Sequence, residues 1–245
     1  VFEPTIGFYN PASIYPYATE ASIASVRLVY PNAPISMSCD NSKYDYSDLC
    51  QRFGVKYFHY YETIGYPSGA LGYTKKNMLT WLDRAFVSVS QLGTDYFSMW
   101  EDDCILVKKI TIEPDWIMAG HCFLFEDQVP KMPDSFLKLI EDFSGVRPST
   151  NLYNCGGGSL FHTKTFLDNY QRIRQYWHTN FDRIQREIYS AVGFIDCFIT
   201  LFFYMCGAKL VENHRIHNNY PLQKPFDFAK LSNDIEIVHY VKDLY

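Results

Sequence analysis

The 245-residue chain carries 22 Lys+Arg against 27 Asp+Glu, a formal charge of −5, with 47% hydrophobic and 20% charged residues. That balance excludes a disordered polyelectrolyte, and mild acidity without a dense basic run argues against a protein that grips nucleic acid through its phosphates. The length suffices to bury a full core without staples, whereas the aromatic share, 18%, is high enough to ask which rings are core and which line a site.

In chain order, residues 5–10 form a β-like run that stops at Pro11, and 18–29 place Ile23, Val26 and Val29 on one helical face. Pro31 and Pro34 close that helix, and a second strand over 35–39 leads into the turn signal Asp40, Asn41, Ser42. A helix over 46–53 ends at Gly54, and 55–61 are again rich in strand formers. These β-then-α units predict an α/β fold with a parallel, doubly wound sheet. A glycine-rich loop, 65–72, precedes a helix over 74–91 in which Met78, Leu82, Ala85, Phe86 and Val89 recur at helical spacing. The strand over 95–100 then delivers Glu101, Asp102 and Asp103 at its C-terminal end, the edge where ligands gather in open α/β sheets.

Further on, the sequence predicts a strand over 104–107, a helix over 135–143, a strand at Leu160 and Phe161, and helices over 166–177, 181–190 and 197–206. One more strand covers 208–212, and the tail reads as loop until 235–240. No internal repeat or linker divides the chain, so 1–245 is expected to be one catalytic domain, with 1–107 and 108–245 as its two halves.

Seven cysteines occur without a CxxC pair, which is not a zinc pattern and reads as reduced thiols, favouring a reducing compartment. The most apolar stretch, 194–207, contains Asp196 and falls short of the roughly 18 residues of a membrane span, so none is expected. The chain opens on Val1, which leaves room for a removed N-terminal anchor.

Three adjacent acids at a strand end are costly unless a cation neutralises them, and Mg²⁺ or Mn²⁺ takes oxygen ligands while also holding phosphates. The plainer alternative is a solvated acidic turn. His239 and Lys242 stand three apart near the C-terminus and suit a metal and a phosphate respectively, although a lone histidine is more often a packed one. Gly156, Gly157 and Gly158 lie before a strand, where backbone can approach a ligand closely, but neither a P-loop nor a GxGxxG pattern is present. Asp196, just before an apolar helix, reads either as an N-cap or as a general base at a helix start.

The order of these features resembles the GT-A class of nucleotide-sugar glycosyltransferases. The residues that carry the resemblance are Trp100 to Asp103 as a DXD-type motif, the glycine-rich stretch 154–159, Phe194, Ile195 and Asp196 as an xED-like motif, and His239 as the C-terminal metal ligand. The resemblance implies a GT-A-like single domain with a mostly parallel central sheet, a Rossmann-like nucleotide-binding half and an acceptor half. It further implies Asp103 and His239 as metal ligands, Asp102 near the ribose or metal, Glu101 nearer the nucleoside, and Lys242 on the diphosphate. Tyr9, Asn10, Asp40 and Lys76 become nucleotide contacts, with Gly157 and Gly158 in the glycine loop. The implied activity is transfer of a sugar from a UDP- or GDP-type donor to a hydroxyl of a glycan or glycoprotein, assisted by Mn²⁺ or Mg²⁺. Inversion is favoured over retention, with Asp196 as base. Ile195 departs from the acid often found at its position, and the acidic motif reads Glu-Asp-Asp rather than Asp-x-Asp. A non-catalytic carbohydrate- or nucleotide-binding module, a nucleotidyltransferase and a phosphohydrolase are the alternatives. On this map Phe97, Phe198, Phe202 and Phe203 are expected in the core, and Tyr9, Tyr66, Tyr73, Tyr153 and Trp100 along the cleft.

Overall fold

The computed structural model describes residues 3–12, 15–39, 44–62, 64, 74–121, 132–149, 156–191, 196–218 and 226–239. The chain begins with β1 (Ile6–Ala12), α1 (Pro16–Val29), β2 (Ile35–Cys39), α2 (Ser47–Phe53), β3 (Lys56–His59), α3 (Lys75–Ser90) and β4 (Tyr96–Met99). These strands pair in parallel in the order β3-β2-β1-β4. The order reverses between β1 and β4. Because βαβ crossovers are right-handed, α1 and α2 lie on one face of the sheet and α3 crosses on the other. The C-terminal ends of β1 and β4 therefore flank the crevice in which doubly wound sheets hold ligands.

Beyond β4 come β5 (Ile105–Leu106), β6 (Met118–Gly120), α4 (Asp134–Ser144), β7 (Leu160–His162), α5 (Thr163–Thr179), α6 (Phe181–Ala191), α7 (Asp196–Met205) and β8 (Leu210–Glu212). Strands β7, β6 and β8 extend the sheet past β4 to give seven strands, so both halves of the chain share it. The architecture is α/β with a mostly parallel central sheet flanked by helices, as expected. One strand departs from that pattern: β7 is antiparallel to both β4 and β6. A second, three-stranded sheet is formed by β5, β9 (Ile216–Asn218) and β10 (Ile237–His239), with β10 antiparallel to β5 and parallel to β9.

Alternation along the central strands splits the core in two. Tyr9, Phe97, Met99, Met118 and Phe161 face the cluster built by α3 to α7, while Phe8, Tyr96, Trp100, Ala119 and Leu160 face α1, α2 and the small sheet. In the first cluster Phe203 stacks on Phe161 at 4.7 Å between ring centroids, and Phe166 meets Phe202 at 4.8 Å. Phe97, Phe198, Phe202 and Phe203 are all buried there, as the sequence predicts. Helix α3 is capped by Thr74, whose hydroxyl accepts from the Asn77 amide, and its buried face includes Met78, Leu82, Ala85 and Val89.

Three elements depart from the sequence reading. Strand β6 and strand β9, each of three residues, lie where no element is expected, and the strand expected over 104–107 contracts to Ile105–Leu106. Runs this short show too little alternation to be read from sequence. No helix among the described residues is long and apolar enough to cross a membrane. Cys39, Cys50, Cys104 and Cys206 are free thiols, and the first three are buried.

Candidate metal site

The backbone brings the acidic turn, the glycine turn and the C-terminal histidine together by strand direction. Residues 101–103 leave the C-terminal end of β4. Because β7 runs antiparallel to β4, the turn that precedes it, residues 156–159, arrives beside that same end. Two hydrogen bonds clamp the two together, Gly158 N to Met99 O at 2.8 Å and Met99 N to Ser159 O at 3.0 Å. Strand β10 is antiparallel to β5 in a register that pairs Val238 with Ile105 and Ile237 with Leu106. One step further along β10, His239 comes level with Cys104, next to Asp103.

The acidic turn is braced from behind. Asn10, wholly buried at the end of β1, donates from Nδ2 to Trp100 O at 2.7 Å, and Trp100 N donates to Tyr9 O at 2.7 Å. Ser22 of α1 donates to Glu101 O at 3.0 Å, and Ser25 Oγ accepts from Leu106 N at 2.9 Å. Cys104 N closes the turn on Glu101 O at 3.2 Å.

Within this frame His239 Nε2 lies 3.4 Å from both Glu101 Oε2 and Asp103 Oδ1. Asp103 is 0% and His239 1% exposed. Asp103, Cys104 and His239 also form a group whose ligand atoms all lie within 4.8 Å of one another. A separation of 3.4 Å is long for a hydrogen bond. It is close to the roughly 3 Å between adjacent ligands of an octahedral ion bound at about 2.1 Å. Carboxylate and imidazole donors at this spacing, with a thiol beside them, are of the kinds that hold a divalent metal ion. Burial pushes the Cys104 thiol well above its ordinary pKa; Asp103 and Glu101 add to this and His239 opposes it. Cys104 thus belongs to the cluster with Asp103 and His239, and Glu101 lies beside the same imidazole.

The expected site residues fall into three groups. Glu101, Asp103, Gly157, Gly158 and His239 are brought together. Glu101 lies 3.4 Å from His239, and Asp102 is buried within electrostatic reach of Tyr46. A second group is turned away from the crevice. Tyr9 is 2% exposed with its hydroxyl 3.0 Å from Ser38 Oγ, and Trp100 is wholly buried, so neither ring can stack on a ligand. Both were expected as cleft walls; the pleat sends Tyr9 to one core and Trp100 to the other. Asn10 acts as a brace through Nδ2, while its buried Oδ1 has no hydrogen-bond partner and remains open to one. Lys76 is exposed and ion-paired with Glu62. Third, Asp40, Lys242, Tyr66, Tyr73 and Tyr153 lie outside the described residues, as does the side chain of Asp196, although Asp196 itself opens α7.

The sequence reading missed a cleft of about 590 Å³ between the N-terminal ends of α1 and α2, lined by Tyr15, Tyr17, Tyr44, Tyr46, Asp48 and Arg52 among others. The missed signal was tyrosines clustered at two helix starts, which neither periodicity nor a known motif marks. It also missed Glu236, the buried acid three residues before the histidine.

Comparison with protein-family models gives no match to the chain, and comparison with curated proteins gives none either.

Proposed function

We propose that the protein is a metal-dependent glycosyltransferase of the GT-A type, moving a sugar from a nucleoside-diphosphate donor to an acceptor hydroxyl. The observation that carries this reading is the convergence of Glu101, Asp103 and His239, from strands far apart in sequence, at the C-terminal edge beside the β1–β4 crevice. A solvated acidic turn is disfavoured, because Asp102 and Asp103 are buried rather than exposed to water.

In this mechanism Glu101, Asp103 and His239 would hold Mn²⁺ or Mg²⁺, which would supply Lewis-acid stabilisation of negative charge on the nucleoside diphosphate leaving group. Asn10, Ser22 and Ser25 keep the acidic turn fixed, so little reorganisation accompanies charge development. Lys242 adds a positive charge to the leaving group. Asp196, at the start of α7, accepts the proton of the attacking hydroxyl as the new glycosidic bond forms and the bond to the diphosphate breaks.

A thermal-shift series with UDP-, GDP- and TDP-sugars plus Mn²⁺ tests the reading. A donor at 100 times its Kd stabilises by roughly 2.7 kcal/mol, equivalent to about 5–10 °C in a chain of this size. The shift is expected in wild type, absent in Asp103→Ala and in EDTA, and kept in Asp196→Asn while transfer is lost. Donor-dependent stabilisation that survives in Asp103→Ala would overturn the metal assignment. Product analysis for glycoside against sugar phosphate separates transfer from phosphohydrolysis.

A further inference from the structure

We infer that Gly157 is a positioning residue whose missing side chain seats His239 against Asp103; the inference rests on the metal reading above. A Cβ built on Gly157 falls 2.4 Å from His239 Nε2, 2.6 Å from Cδ2 and 2.9 Å from Cε1. Non-bonded heavy atoms prefer about 3.5–4.0 Å, so a methyl group and the imidazole cannot share this space. The atom most closely approached is the one that faces both carboxylates.

Neither partner can step back freely. The glycine turn is tied to the last residue of β4 through the two Met99 hydrogen bonds and closed by Ser159 N to Gly156 O at 2.9 Å. A Cβ on the adjacent Gly158 would lie 2.9 Å from Ile237 Cγ2, so β10 already packs directly on the turn. His239 is buried and held by the pairing of β10 with β5 and β9. Since β4 also delivers Asp103, the turn acts as a spacer that fixes the histidine relative to the carboxylate, across 82 residues of sequence.

The backbone makes the idea cleanly testable. Gly156 and Gly158 have φ of 82° and 80°, where any side chain is strained, but Gly157 is not among the positive-φ glycines. Alanine at 157 therefore meets the His239 ring as its nearest obstacle. Gly157→Ala, His239→Ala and the double variant are compared by Mn²⁺ titration calorimetry and by melting temperature in metal-free buffer. Gly157→Ala is expected to weaken Mn²⁺ binding at least tenfold and to lower the melting temperature. In the His239→Ala background the same change should cost no further Mn²⁺ affinity, and removal of the ring should recover the melting temperature. Wild-type Mn²⁺ affinity in Gly157→Ala overturns the inference; so do losses that add in full in the double variant, or a double variant whose stability is not recovered. Wild-type Mn²⁺ affinity in His239→Ala instead overturns the metal reading, and the metal-free melting series still reads the seat by itself.

Discussion

At the scale of single residues, His121 links the site to pH. It follows β6, and burial pulls its pKa down to about 4, with His239, His214 and His217 adding to the effect. The unfolded chain takes up this proton near pH 6.5, so between roughly pH 4 and 6.5 it binds more protons than the folded chain and stability rises with pH. The stabilising contribution is full above about 6.5 and is lost as the pH falls toward 4. Denaturant unfolding in metal-free buffer is expected to show wild type losing on the order of 1–3 kcal/mol more than His121→Gln over that window. A difference independent of pH would exclude a buried neutral imidazole. Glu101, Asp103 and His239 were legible as candidates because acids at a strand end and an isolated histidine are chemically informative. Which of the three acids comes beside His239 was not, since three adjacent acids give no clue to which side chains converge.

At the scale of elements, the histidine depends on how β10 is fastened. Glu236 is buried, accepting from Thr111 N at 2.9 Å and Thr111 Oγ1 at 2.6 Å, and lies 3.7 Å from Arg215 Nε. Its carbonyl accepts from Val107 N at 2.8 Å, and its amide donates to Arg215 O at 2.8 Å. This one residue joins β10 to the segments on both sides. Glu236→Ala strips acceptors from Thr111 and takes a carboxylate from beside Arg215, leaving it Glu113 at 3.2 Å. The expected cost is about 2–4 kcal/mol, with faster hydrogen exchange at the β10 amides and weaker Mn²⁺ binding. Unchanged exchange in β10 would show that the strand is held by its ladder alone. Long amphipathic elements such as α3 and α5 were readable from helical spacing, whereas β6 and β9, at three residues each, draw their conformation from neighbours.

At the scale of the whole molecule, the aromatic excess is mostly a packing device. Phe203 lies within 6.4 Å of Phe97 and 5.6 Å of Phe202, besides its stacked contact with Phe161. Phe203→Ala is expected to cost about 3–5 kcal/mol and to lower the melting temperature by on the order of 10 °C. Mn²⁺ affinity should change little, since Phe203 touches none of the side chains proposed to hold the ion; a parallel loss of metal binding would show that the cluster and the site are coupled.

The sequence by itself determined the α/β class, the parallel run of the first strands, the core phenylalanines and the acids at the edge of β4. These follow from periodicity and residue chemistry, which act over a few neighbouring positions. Only the tertiary structure decided that β7 runs antiparallel to β4 and β10 to β5, that Tyr9 and Trp100 turn inward, and that Gly157 faces His239. Strand direction and register depend on how distant segments bury their faces together, so residues 103, 157 and 239 acquire a common address only once the sheet has closed.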